Sequence, residues 1–177
     1  MKEFELTTEG LRSAIPELSV GDRVYLSGTV YTSRDAAHKE LFRLLDEGSE
    51  LPFPLRDAVI YYAGPTPGHG GMPVGSCGPT TSARMDGFAP RLYRLGVAAT
   101  IGKGERDEGV KQAIRETGSV YLCAVGGAGA LIARHITSAE EIAFPELGCE
   151  SVKRLTVDHL PLIVAVDAAG RDIFQRD

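Results

Sequence analysis

The sequence predicts a single α/β domain, residues 1–177, with a mixed sheet and flanking helices. Three observations predict it. Short β-branched and aromatic runs alternate with stretches of helical period as far as about residue 135. From Val152 the chain changes character and reads as strands alone. Finally, 177 residues suffice for one well-cored domain and do not require two.

The elements follow in order. Phe4 to Thr7 alternates like a short strand, and a brief helix runs from Thr8 to about Ile15, before Pro16. Val20-Gly21-Asp22 is a turn into a strand from Arg23 to Val30. Ser33 is placed to cap a helix from Arg34 to about Glu47, with Ala37, Leu41, Leu44 and Leu45 on one face and Gly48 as its stop. Ala58 to Tyr62 is an apolar strand running into a Gly/Pro loop, Ala63 to Gly71. Pro79 suits the first turn of a helix ending at Arg84, and Pro90 that of a second piece, Arg91 to Leu95. Strands at Val97–Ile101 and Ser119–Val125 flank a polar helix, Glu105–Glu116, and Gly129–His135 is helical again. In the tail, Val152–Val157, Leu162–Val166 and Asp172–Phe174 read as strands, the last two joined by a turn at Ala169-Gly170.

Composition narrows the function. Nineteen Lys and Arg against 24 Asp and Glu give a net charge of −5, a poor balance for wrapping nucleic acid or lying on an anionic membrane. Cys77, Cys123 and Cys149 form no CxxC pair and sit far from His38, His69, His135 and His159 in sequence, so no metal or iron–sulfur site is expected from this chain alone. Met1 to Glu9 lacks an apolar signal segment, and the low-polarity run Val120–Ala133 is 14 residues with three glycines, short of a membrane span. A reduced, cytoplasmic setting is expected.

Three segments place cations beside glycine or at a helix start. In SGTVYTSRDAAHKEL, Arg34 stands at a strand-to-helix junction with His38 one turn on, where guanidinium and helix N–H groups together favour an anion. The plain alternative is a surface arginine paired with Asp35 or Glu50. In GSCGPTTSARMD, Thr80, Thr81 and Ser82 bring hydroxyls to a helix start and Arg84 follows one turn later, a receptor for carboxylate or phosphate. The alternative is an ordinary hydroxyl-capped helix with a solvated arginine. In AATIGKGER, Lys103 lies between two glycines at a strand's C-terminal end, where α/β sheets bind ligands, with Arg106 close behind. The alternative there is a cationic turn.

Other signals are weaker. GGAGA, Gly126–Ala130, lacks the dinucleotide spacing and fits close helix–strand packing better; no Walker A pattern exists. Cys77 has no histidine nearby in sequence to activate it, and Cys123 reads as core.

Together GDRVYLSGTVYTSRDAAHKEL, IYYAGPTPG, GSCGPTTSARMD, IGKGER, GGAGALIA, FPELGCESV and LIVAVDAAGRDIF, from Gly21 to Phe174, resemble the β subunit, equivalently the C-terminal domain, of class I fumarate hydratases and related L-tartrate dehydratases. The resemblance implies a swivelling β/β/α domain and a hydro-lyase adding water across a dicarboxylate double bond. It implies a partner α subunit holding a four-iron, four-sulfur cluster on three cysteines, and two copies of each subunit, although composition equally permits a homodimer. Arg34, Thr80, Arg84 and Lys103 match the family's substrate-contacting positions, with Thr81 beside them. Thr80 matches the position proposed as catalytic base, a role needing strong support from neighbouring cations, and Lys103 would orient a carboxylate or polarise developing charge. Cys77 departs from the family, where a small residue such as alanine is expected. The rivals are a tartrate dehydratase subunit and a non-catalytic anion-binding or assembly module; nucleotide binding is disfavoured by the missing fingerprints.

Overall fold

A computed structural model describes residues 1–175. Within them the order is β1 (Glu3–Thr7), α1 (Thr8–Ala14), β2 (Arg23–Thr32), α2 (Asp35–Glu47), β3 (Val59–Tyr61), α3 (Ala89–Arg94), β4 (Ala99–Gly102), α4 (Glu108–Thr117), β5 (Val120–Cys123), α5 (Gly129–Ala133), β6 (Ile136–Ala143) and β7 (Val152–Val166). Strands β2, β3, β4 and β5 lie parallel and in that order, so their C-terminal ends share one edge. The long β7 runs antiparallel to β5 and to β2. These pairings close a circuit, β2–β3–β4–β5–β7–β2, with β1 and β6 appended outside it.

Alternation along the short central strands explains the layering. Val59, Tyr61, Val120 and Leu122 point into a core shared with Leu11 of α1 and Leu155 and Leu162 of β7. Their neighbours Ile60 and Tyr121 point the other way, onto Leu41 of α2, Leu92 of α3 and Ile114 of α4. The mixed sheet therefore has helices α2, α3 and α4 on one face and a second core, closed by β7 and α1, on the other. Burying each such Leu or Ile contributes about 1.5–3 kcal/mol. Closure of the circuit relies on Gly28, at φ +123° beside a register shift in β2; a Cβ there would come within 2.2 Å of the Thr8 hydroxyl. No helix among the described residues is long and apolar enough to cross a membrane.

Several expected elements differ. The residue at the α2 N-cap is Arg34, and Ser33 instead turns its hydroxyl to His38. Pro79 starts no helix: Pro79 and Thr80 are irregular backbone, and only a four-residue 3-10 turn, Ser82–Met85, follows. The two strands expected between Val152 and Val166 are one strand, bent at His159 (φ +49°). Asp172 makes an isolated bridge with Val166 rather than a strand of its own. Strand β6 has no counterpart among the expected elements.

Candidate active site

The three cationic segments meet at the C-terminal edge of the parallel strands. Arg34 follows the end of β2, and Lys103 the end of β4. The GPTTS segment lies across β3 and β4: the Thr80 N–H donates to the Tyr62 carbonyl at 2.6 Å, Thr81 bridges Lys103 in parallel pairing, and the Ser82 N–H donates to the Lys103 carbonyl at 2.9 Å. Thr80 and Thr81 thus extend the sheet by a step instead of entering a helix. Their backbone lies beside Lys103, and Arg84 follows in the 3-10 turn with its guanidinium 3.8 Å from Asp35 at the start of α2.

Close approach explains the glycines here. A Cβ on Gly102 would lie 1.9 Å from the Ser82 hydroxyl and 2.8 Å from the Tyr62 ring. The Lys103 stem runs over Gly126, and Gly129 faces the Gly78 backbone, so GGAGA makes room for Lys103 and for the GSCG turn. Tyr61 donates from beneath to the Cys77 carbonyl at 2.5 Å.

A buried polar cluster supports the edge. Arg106 donates to Asp86 at 2.6 Å, to Thr100 at 3.1 Å and to the Tyr62 hydroxyl at 3.2 Å, with its guanidinium 4.8 Å from the Tyr121 ring centroid. The Tyr121 hydroxyl lies 2.8 Å from both Ser82 Oγ and the Gly104 carbonyl oxygen, donating its one proton to the carbonyl while the Ser82 hydroxyl can donate to it. Arg106, expected alongside Lys103 as a second cation at the turn, is therefore buried beneath the site.

Arg34 has neither expected partner. Its Nε faces Glu150 Oε1 at 3.6 Å, while Asp35 faces Arg84 at 3.8 Å. The α2 N-terminus carries no side-chain cap, which leaves first-turn N–H groups beside Arg34 for an acceptor. His38, one turn on, is core: its ring packs on Tyr62 and Phe88, with Nδ1 2.7 Å from Ser33 Oγ and 2.9 Å from the Arg34 carbonyl. Burial pushes its pKa down to about 4, so it is neutral and no anion anchor. Thr81 and Arg84 are exposed, and Arg34, Thr80 and Lys103 are half-buried. Two cavities, of 410 and 450 Å³, lie elsewhere and are lined by none of these five. The cationic edge is an open rim.

Among the described residues no group of three or more His, Cys, Asp and Glu could hold a metal ion. Cys77 is buried with its thiol pushed up to about 12 by desolvation, Cys123 is half-buried and Cys149 exposed. These residues do not fit an iron–sulfur cluster of their own.

An open cationic rim on the strand-end edge of a single α/β domain, with a mixed sheet and flanking helices, is the setting of the site. The family model for the Fumarase C-terminus matches residues 1–177, and the chain belongs to that family. It is 39% identical over 164 residues to the class I anaerobic fumarate hydratase of Escherichia coli, covering 92% of this chain and 30% of that protein. It is 36% identical to fumarate hydratase 2 of Leishmania major, covering 94% and 30%. It is 38% identical to the "Putative L(+)-tartrate dehydratase subunit beta" of Methanocaldococcus jannaschii, covering 91% and 86%. The chain therefore spans less than a third of the fumarate hydratases it matches. The family is one of hydro-lyases.

Proposed function

We propose that this chain is the β subunit of a two-chain hydro-lyase that reversibly hydrates fumarate to L-malate, and that it holds the carboxylates of the substrate. The observation carrying this is the gathering of Arg34, Thr80, Thr81, Arg84 and Lys103 at one strand-end edge. A dianion needs separated cations, and Arg34 and Arg84 supply guanidinium forks, each charge-assisted bond contributing about 1.5–3 kcal/mol. Lys103, whose backbone pairs with Thr81, adds an ammonium on a flexible stem. In the dehydration direction a proton leaves the carbon beside one carboxylate as hydroxide leaves its neighbour. Thr80 is the proposed proton acceptor, with Lys103 and Arg84 stabilising its deprotonated form. The iron–sulfur cluster belongs, on this reading, to the partner α subunit that closes the open rim.

Tartrate dehydration is the second reading, favoured by one observation: a relative matched over 86% of its own length is, by its printed name, a putative L(+)-tartrate dehydratase subunit beta. Co-expression with the cognate larger chain and anaerobic assay with fumarate, L-malate and L-tartrate tests both. Turnover by the complex and none by this chain alone supports the proposal, and the preferred substrate selects between readings. A complex that binds dicarboxylates without turning any over points to a non-catalytic module.

A further inference from the structure

We infer that Glu150 is a positioning residue that sets the aim of Arg34, an inference that rests on reading Arg34 as a carboxylate anchor. Arg34 Nε and Glu150 Oε1 are 3.6 Å apart, close enough for an ion pair and too long for a good hydrogen bond. Both atoms are buried and neither has a hydrogen-bond partner among the described residues. Buried orphans of opposite charge facing one another are uncommon and call for a reason. Glu150 holds the inner, Nε side of the guanidinium and leaves the two terminal nitrogens as the fork for a carboxylate. Gly64 leaves room for the Arg34 stem beside the Cys149 carbonyl, since a Cβ there would sit 3.3 Å from Arg34 Cδ and 3.2 Å from that oxygen.

Glu150 is itself held firmly. It ends the 3-10 segment Pro145–Glu150, which is entered through Phe144 at φ +54° and kinked at Gly148 at φ +62°. Lys153 Nζ ties that segment down by donating to the Cys149 carbonyl at 3.2 Å and to Ser151 Oγ at 2.7 Å. The Lys153 N–H in turn donates to Thr32 Oγ1 at 3.0 Å, at the end of the strand that delivers Arg34. Arg34 and its carboxylate therefore share one anchored frame.

The charge of Glu150 also offsets part of that of Arg34. Removing it strengthens ground-state attraction for a dianion while freeing the guanidinium to turn from its productive angle. The test uses the two-chain complex with Glu150→Gln, kinetics on fumarate, and calorimetric binding of succinate, a dicarboxylate that cannot be hydrated. The expected result is a kcat lower by about tenfold or more, with KM unchanged or reduced and succinate bound about three- to tenfold more tightly. Glu150→Asp, which keeps the charge and shortens the reach, retains wild-type succinate affinity and loses part of kcat. Succinate binding that is unchanged or weaker in Glu150→Gln overturns the inference whatever happens to kcat. Arg34→Ala separates the two layers. If it abolishes succinate binding while Glu150→Gln changes nothing, the role of Glu150 alone fails; if it binds succinate normally, the reading of Arg34 fails.

Discussion

Arg106 and Asp86 meet at 2.6 Å behind the strand-end edge, with the arginine side chain fully shielded from solvent. The second Asp86 oxygen accepts the Asp107 N–H at 2.8 Å, so one carboxylate joins the turn after Ser82–Met85 to the start of α4. Asp86→Ala strands a buried guanidinium, and loss of one partner of such a pair costs about 3–5 kcal/mol. Urea unfolding is expected to show that loss, with Asp86→Asn milder because it keeps an acceptor. A change under about 1 kcal/mol would mean that the cluster is not a structural support.

Gly102→Ala drives a methyl group into Ser82 and Tyr62. Both neighbours belong to the frame that presents Thr80 and Lys103, so the expected outcome is lost dicarboxylate binding together with a lower melting temperature. Gly104→Ala is the control at a positive-φ site where a Cβ meets nothing; it strains the backbone without a clash and leaves more binding. Calorimetry with succinate on the two-chain complex reads the difference.

Much of this edge is legible in the sequence, and the misses have physical causes. The strand ends and the RDAAH, GPTTS and GKG segments carry local signals: β-branched runs, glycines and hydroxyls at a turn. The helix expected after Pro79 yields to tertiary pairing, because Tyr62 and Lys103 capture the Thr80 and Ser82 N–H groups. Strand β6 was invisible because Thr137, Ser138, Glu140 and Glu141 are exposed on an outer strand, which has no alternation to read. The split of β7 came from Asp158-His159, polar residues that mimic a turn where the strand merely bends. The Arg34–Glu150 contact joins residues more than a hundred positions apart, which no local pattern reports; only the FPELGCESV motif hinted that the segment mattered.

His38 sets an acid-side dependence of stability. Its ordinary pKa of 6.5 falls to about 4 in the fold because burial penalises the charged ring. The unfolded chain takes up a proton below about pH 6.5 while the folded chain waits until about pH 4. Stability present above pH 6.5 is therefore lost as pH falls through that window, by about 3 kcal/mol in all. Proton NMR is expected to show the His38 ring still neutral at pH 5. A His38 midpoint near 6.5 would contradict the burial of this ring.

The cysteines should separate by reactivity. Cys77 is buried, with its thiol raised to about 12 by desolvation, while Cys149 is exposed. Iodoacetamide at pH 8 on the native chain alone is expected to label Cys149 first and Cys77 only after unfolding. Prompt labelling of Cys77 would show that the GSCG turn opens readily.

Arg84 offers the most direct measurement. Its side chain is 55% exposed and its one ion contact among the described residues, to Asp35, is 3.8 Å long, so truncating it should leave stability within about 0.5 kcal/mol. In the anaerobic two-chain complex, Arg84→Ala is predicted to keep the wild-type melting temperature and lose about a thousandfold or more in kcat/KM for fumarate. Near-normal turnover by that variant would contradict the assignment of this edge as the carboxylate site.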